Sequence, residues 1–200
     1  MLSPLLGEMA LPSEVEVGGA CVPINSDFRV GIRFEELMYD RRFSETAKIA
    51  LALRLWFDEA PADVSGAIEA MLSFYRCGLP EMPDVGGSSA QLYSYRYDYG
   101  LIYAAFMQVY RLDLFDVEYL HWWRFRAMLA ALPDDTQFMR VLGFRAAKVS
   151  SDMPKEQRAH LRKMKRLYAL PESEAPRRVR TYEEYRAAVA AIREAKADDA

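Results

Sequence analysis

Between residues 14 and 24 the apolar positions come as two short runs with β-branched residues, VEV and ACVPI, separated by a Gly-Gly pair. That pattern predicts a tight hairpin with strands at about 14–17 and 20–24. In FRVGIRFEELMYD two periods compete. Phe28, Val30, Ile32 and Phe34 alternate as in a strand, whereas Val30, Phe34, Leu37 and Met38 recur as on one face of a helix. We read a helix there, preceded by cap candidates in Asn25-Ser26-Asp27.

From Ser44 onward the helical period is plainer. Ser44 can cap ETAKIALALRLWF, and Asp63 can cap VSGAIEAMLSFYR, which stops at Gly78 as a C-terminal glycine would. LPEMPDVGGSSAQ has no apolar period and reads as a surface loop. Beyond it, DYGLIYAAFMQVY predicts a helix beginning near Asp98. Asp113 is placed to cap a helix over 114–132, and Asp134 or Asp135 to cap TQFMRVLGFRAAKV. A further helix follows SSDMPKEQ and ends near Leu170-Pro171. ESEAPRR is linker-like, and the Thr181-x-x-Glu184 capping box opens a last helix.

The fold class expected is therefore mainly α: a compact multi-helix domain with a small N-terminal β-hairpin and a C-terminal helical appendage. Residues 1–171 form the helical domain, divided into two halves by the loop near 79–92. Residues 172–200 are a linker and the C-terminal helix.

In EYLHWWRFRAMLAAL, helical spacing puts Phe115, Tyr119, Trp122, Phe125 and Leu129 on one side and Val117, Leu120, Trp123 and Ala127 on another. A helix apolar almost all round is normally buried. Tyr103, Phe106, Leu120, Trp122, Trp123 and Phe125 are accordingly expected in the core. Glu118, His121 and Arg124 share the remaining arc and are the best candidates for acid–base work. No second histidine, nucleophile motif or phosphate loop stands at a spacing that would complete a catalytic set. We expect no enzyme, no metal and no cofactor, and a structural role for His121.

Composition narrows this further. The chain has 200 residues, 52% of them hydrophobic, and a net charge of −3, which argues for a folded protein and gives no global case for nucleic acid. Cys21 and Cys77 form no metal-type pair and read as two thiols. The N-terminus lacks a signal-peptide pattern and no apolar run is long enough to span a bilayer, so a cytoplasmic protein is expected.

Charge is uneven, however, with +3 over residues 151–200 and −6 over the rest. The helix from Lys155 is basic on one face and apolar on the other. In YSYRYDYG, four tyrosines alternate with other residues, as in an extended segment with rings on one face; a platform for stacking bases is the alternative. Tyr95, Tyr99, Arg158, Arg162 and Lys165 are the residues expected to contact a partner.

INSDFR, FEELMYD, FYRCG, the block YDYGLIYAAFMQVYRLDLFDVEYLHWWRFRAMLAALPDDTQF, and VLGFRAAKV followed by MPKEQRAHLRKMKRLYALP together resemble the phage gene-product-fifteen family. The resemblance runs from about residue 12 to 171, and the block at 98–149 is its most specific part. There Tyr103, Ala104 and Phe106, then His121, Trp122, Trp123 and Phe125, fall on the family's signatures.

The resemblance implies a tail-region protein of long-tailed phages and prophages, working in the cytoplasm of the bacterial host during phage assembly. A tail-assembly chaperone that binds the helical tape-measure protein is the role it suggests first, with other tail proteins as further partners and self-association as an option. A structural tail component retained in the virion is the second reading, and a nucleic-acid binder a weaker third. No membrane partner is expected. Helix-in-groove binding suits a helical, aromatic-rich chain of this kind.

Overall fold

The computed structural model describes residues 10–79 and 92–171, and these form a mainly α protein with an N-terminal hairpin. Strands β1 (Glu14–Val17) and β2 (Ala20–Pro23) pair antiparallel, with Val17 opposite Ala20 and Glu14 opposite Pro23. Gly18 and Gly19 both have positive φ, 58° and 82°, as a two-residue turn of this hand requires. Seven helices follow among the described residues: α1 (Phe28–Tyr39), α2 (Glu45–Trp56), α3 (Val64–Tyr75), α4 (Tyr95–Tyr110), α5 (Trp122–Ala130), α6 (Gln137–Ala146) and α7 (Lys155–Leu167). The C-terminal helix expected after Thr181, its linker and most of the loop near 79–92 lie outside the described residues.

Capping explains most of the boundaries. The side chains of Asp27, Ser44 and Asp63 accept backbone N–H bonds from Arg29, Ala47 and Gly66, and so start α1, α2 and α3. Three expectations need correction. First, α4 begins at Tyr95 rather than near Asp98, because Asp98 reaches back to accept the Ser94 N–H at 3.0 Å and so secures the turn before it. The tyrosine segment is therefore helical from Tyr95. Second, Thr136, not Asp134 or Asp135, caps α6, accepting from Met139 N–H.

Third, no helix spans 114–132. Asp113 closes a turn by accepting Phe115 N–H, but residues 119–121 are drawn out of helical geometry by pairing with the chain near Asp27. Phe28 N–H donates to Leu120 C=O at 2.8 Å, and Trp122 N–H to Ser26 C=O at 2.7 Å. Phe115 and Tyr119, expected on the buried side of that helix, are consequently 70% and 55% exposed.

The described residues divide into two units. One comprises residues 10–79 with Tyr119–Phe125; the other comprises 92–118 with 126–171. The division falls within α5, between Phe125 and Arg126. In the first unit, α1, α2, α3 and the hairpin enclose a core that includes Phe28, Phe34, Trp56, Phe57, Met71, Phe74, Trp122 and Phe125. In the second, Tyr95, Ile102, Phe106, Phe138 and Val141 are buried, and α4 packs on α6, which packs on α7.

Candidate partner-binding surfaces

In the first unit the histidine that invited a chemical reading is occupied structurally. His121 is buried, and its Nδ1 accepts the Trp123 backbone N–H at 3.0 Å, so the imidazole acts as the N-cap of α5. With Nδ1 as acceptor, Nε2 carries the proton and donates to the Pro12 carbonyl at 2.9 Å. Burial pushes the imidazole's pKa below its ordinary value; the Pro12 bond opposes that and the Arg124 charge adds to it. Glu118 and Arg124 are exposed, and Glu118 precedes α5, so the polar arc expected on one helix is not assembled there.

The adjoining tryptophans are pinned by their indole N–H groups. Trp122 Nε1 donates to Tyr75 C=O and Trp123 Nε1 to Phe74 C=O, each at 2.8 Å. Trp122 is fully buried, stacked on Tyr75 and Phe125, and its ring lies directly against Gly31, where any Cβ would collide with it. Trp123 is only half-buried. Together with Phe74, Pro12 and Val15 it lines an open groove of about 310 Å³, whose rim carries Glu14, Glu16 and Ser73. This groove was not foreseen, because it depends on Pro12, Ser73 and Trp123 meeting from three distant parts of the chain.

The second unit carries two exposed surfaces of different character. On α4, Tyr99 is 65% exposed and Tyr103 half-buried one turn further on. Phe115 lies over Tyr103 with ring centroids 4.9 Å apart. Tyr103 donates to Asp113 Oδ2 at 3.1 Å, and that bond holds the phenol's pKa above its ordinary value, with burial and acidic neighbours adding to it. Asp116, whose charge is felt at Tyr103, and Glu118, a few residues along the chain from Phe115, are both exposed.

The other surface is α7. It buries no residue completely and carries six basic side chains against the single acidic Glu156. Arg162, Lys163 and Arg166 are exposed, as is Leu167.

The sequence-based core set divides in the same way. Phe106, Leu120, Trp122 and Phe125 are buried, while Tyr103 and Trp123 are half-buried and face the patch and the groove. Of the five expected contact residues, Tyr99 and Arg162 are exposed. Arg158 is half-buried and donates to Ser151 C=O at 3.1 Å. Tyr95, the first residue of α4, is buried because the start of the helix there turns its ring inward, and so it offers no contact surface. Lys165 is half-buried, and its Nζ donates to Arg145 C=O and Ala147 C=O, which completes the C-terminal end of α6.

Among the described residues, no group of three or more His, Cys, Asp and Glu side chains is placed to hold a metal ion, and no helix is long and apolar enough to cross a membrane. The family model described as bacteriophage Gp15 protein matches residues 8–170 of the chain. Neither the curated proteins nor the solved structures contain a match. With most of its length covered by that model, the chain belongs to the bacteriophage Gp15 protein family.

Proposed function

From that membership, which makes this a phage protein with a structural or assembly role, we propose that it is a non-enzymatic tail-assembly chaperone. Its client would be the helical tape-measure protein, bound during tail morphogenesis in the host cytoplasm. The observation that carries this reading is the groove beside Trp123. Its floor is aromatic and apolar, it is open at the surface, and its volume suits one or two large side chains from an amphipathic helix. The indole–carbonyl bond at Phe74 fixes the floor before binding, which lowers the ordering cost of association. The occupation of His121 by the α5 cap and Pro12 supports a binding role over acid–base chemistry.

Co-expression with the tape-measure protein of the same phage, followed by size-exclusion chromatography with light scattering, tests the proposal. The expected result is a soluble co-eluting complex, lost when exposed Ser73 on the groove rim is replaced by Arg. If the tape-measure protein behaves identically with and without this chain, the chaperone reading fails. Recovery of the chain from purified particles would instead favour a retained tail component.

A further inference from the structure

We propose that the second unit binds a second copy of this chain, the basic face of α7 from one molecule docking on the acidic aromatic patch of the next. This self-association is independent of the tape-measure reading. The two surfaces are complementary in charge and in the way each displays apolar groups. The patch offers the exposed rings of Tyr99 and Phe115, the exposed carboxylate of Asp116 next to Phe115 in the chain, and that of Glu118 shortly after it. The helix offers Arg162, Lys163 and Arg166 with Leu167, itself 64% exposed, at its end.

Neither set of charges is spent internally: among the described residues, the side chains of Asp116, Glu118, Arg162, Lys163 and Arg166 take part in no hydrogen bond or ion pair. Phe115 is the natural anchor. Its ring is held on one side by Tyr103, and its backbone N–H is fixed by Asp113 at 2.9 Å, so it is presented without needing to be ordered on binding. Guanidinium groups suit such a patch because they pair with carboxylates and also stack on aromatic faces.

The two surfaces are different patches of one unit, so the contact is heterologous and each molecule can donate α7 to one neighbour and accept it from another. Such contacts close into a ring or extend as a chain, depending on the rotation between copies.

Sedimentation of the full chain at low and high ionic strength provides the test. The wild type should exceed monomer mass at low salt and lose mass as salt shortens the range of the charges. Asp116→Arg with Glu118→Arg, and separately Arg162→Glu with Arg166→Glu, should each weaken association about 10-fold or more, since attractive exposed pairs become repulsive ones. Mixing the two variants should restore it, because an unaltered basic helix then meets an unaltered acidic patch. Phe115→Ala, at a site exposed enough to leave the fold intact, should weaken association with no change in circular dichroism. A wild type that stays monomeric at every concentration, charge variants that associate like the wild type, or a mixture that fails to recover would each overturn the proposal.

Discussion

In the first unit the helices meet around Trp122, whose indole is stacked between Tyr75 and Phe125 and rests against Gly31. In the second they meet around Arg145, which forms a bidentate pair with Asp98 at 2.6 and 2.9 Å and also donates to the carbonyls of Tyr168 and Leu92. Both centres are largely shielded from solvent and both tie three or more segments together, but they hold by different physics. The aromatic centre gains mainly from removing apolar area from water and from ring packing, with single indole N–H bonds fixing orientation. The ionic centre is held by directional bonds to charged groups, whose desolvation offsets much of their attraction. The first should therefore respond chiefly to changes of shape, and the second to the loss of either partner.

The largest expected effect breaks the aromatic side of this comparison. Trp122→Ala should cost about 3–5 kcal/mol in urea unfolding, enough to unfold a marginal domain, whereas half-buried Trp123→Ala should cost clearly less. Equal costs would mean that burial does not govern the difference. Next, Arg145→Met should cost about 3 kcal/mol by leaving Asp98 buried and unpaired. Adding Asp98→Leu should recover part of that loss, though not all, since the Tyr168 and Leu92 carbonyls lose their donor and the Ser94 N–H loses its acceptor. If the double variant is less stable than Arg145→Met, the ionic centre contributes more than a local charge balance.

A pH series sharpens the contrast from the aromatic side. The pKa of His121 is lowered in the folded state, so below about 6.5 the unfolded chain takes up a proton that the folded chain resists. Stability should be fully present above that pH and decline as pH falls, by at most about 1.4 kcal/mol per pH unit. Equilibrium unfolding of wild type and His121→Asn between neutral and mildly acidic pH should show a steeper decline in the wild type, while parallel curves would remove His121 from the account. The smallest effect concerns a boundary: Thr136→Ala should cost about 1 kcal/mol and Asp134→Ala almost nothing, as measured by thermal unfolding.

The hairpin turn and the caps at Ser44 and Asp63 were legible in the sequence because each is a short-range signal: a Gly pair between strands, or an oxygen placed just ahead of an apolar period. The segment from Asp113 to Leu132 was misread for the same reason. Local periodicity there favours one continuous helix, but Phe28 and Ser26, far earlier in the chain, capture Leu120 and Trp122 through backbone bonds. Exposure of Phe115 and burial of Tyr95 follow from where α4 starts and where α5 does not. The groove escaped notice because no periodic pattern brings Pro12, Ser73 and Trp123 together. The basic face of α7 was visible from composition, but Lys165 was not recognisable as a cap for another helix, since its acceptors lie on α6.

The place of Tyr119–Phe125 in the first unit has a consequence for synthesis. As the chain leaves the ribosome, residues 10–79 can form their hairpin and three helices, yet the Gly31 shelf and the carbonyls of Phe74 and Tyr75 stay unoccupied until Trp122 and Trp123 emerge. The first unit is thus completed only after residues 92–118 of the second have been made, and a nascent chain paused before Trp122 exposes an apolar site that aggregation or a host chaperone can reach.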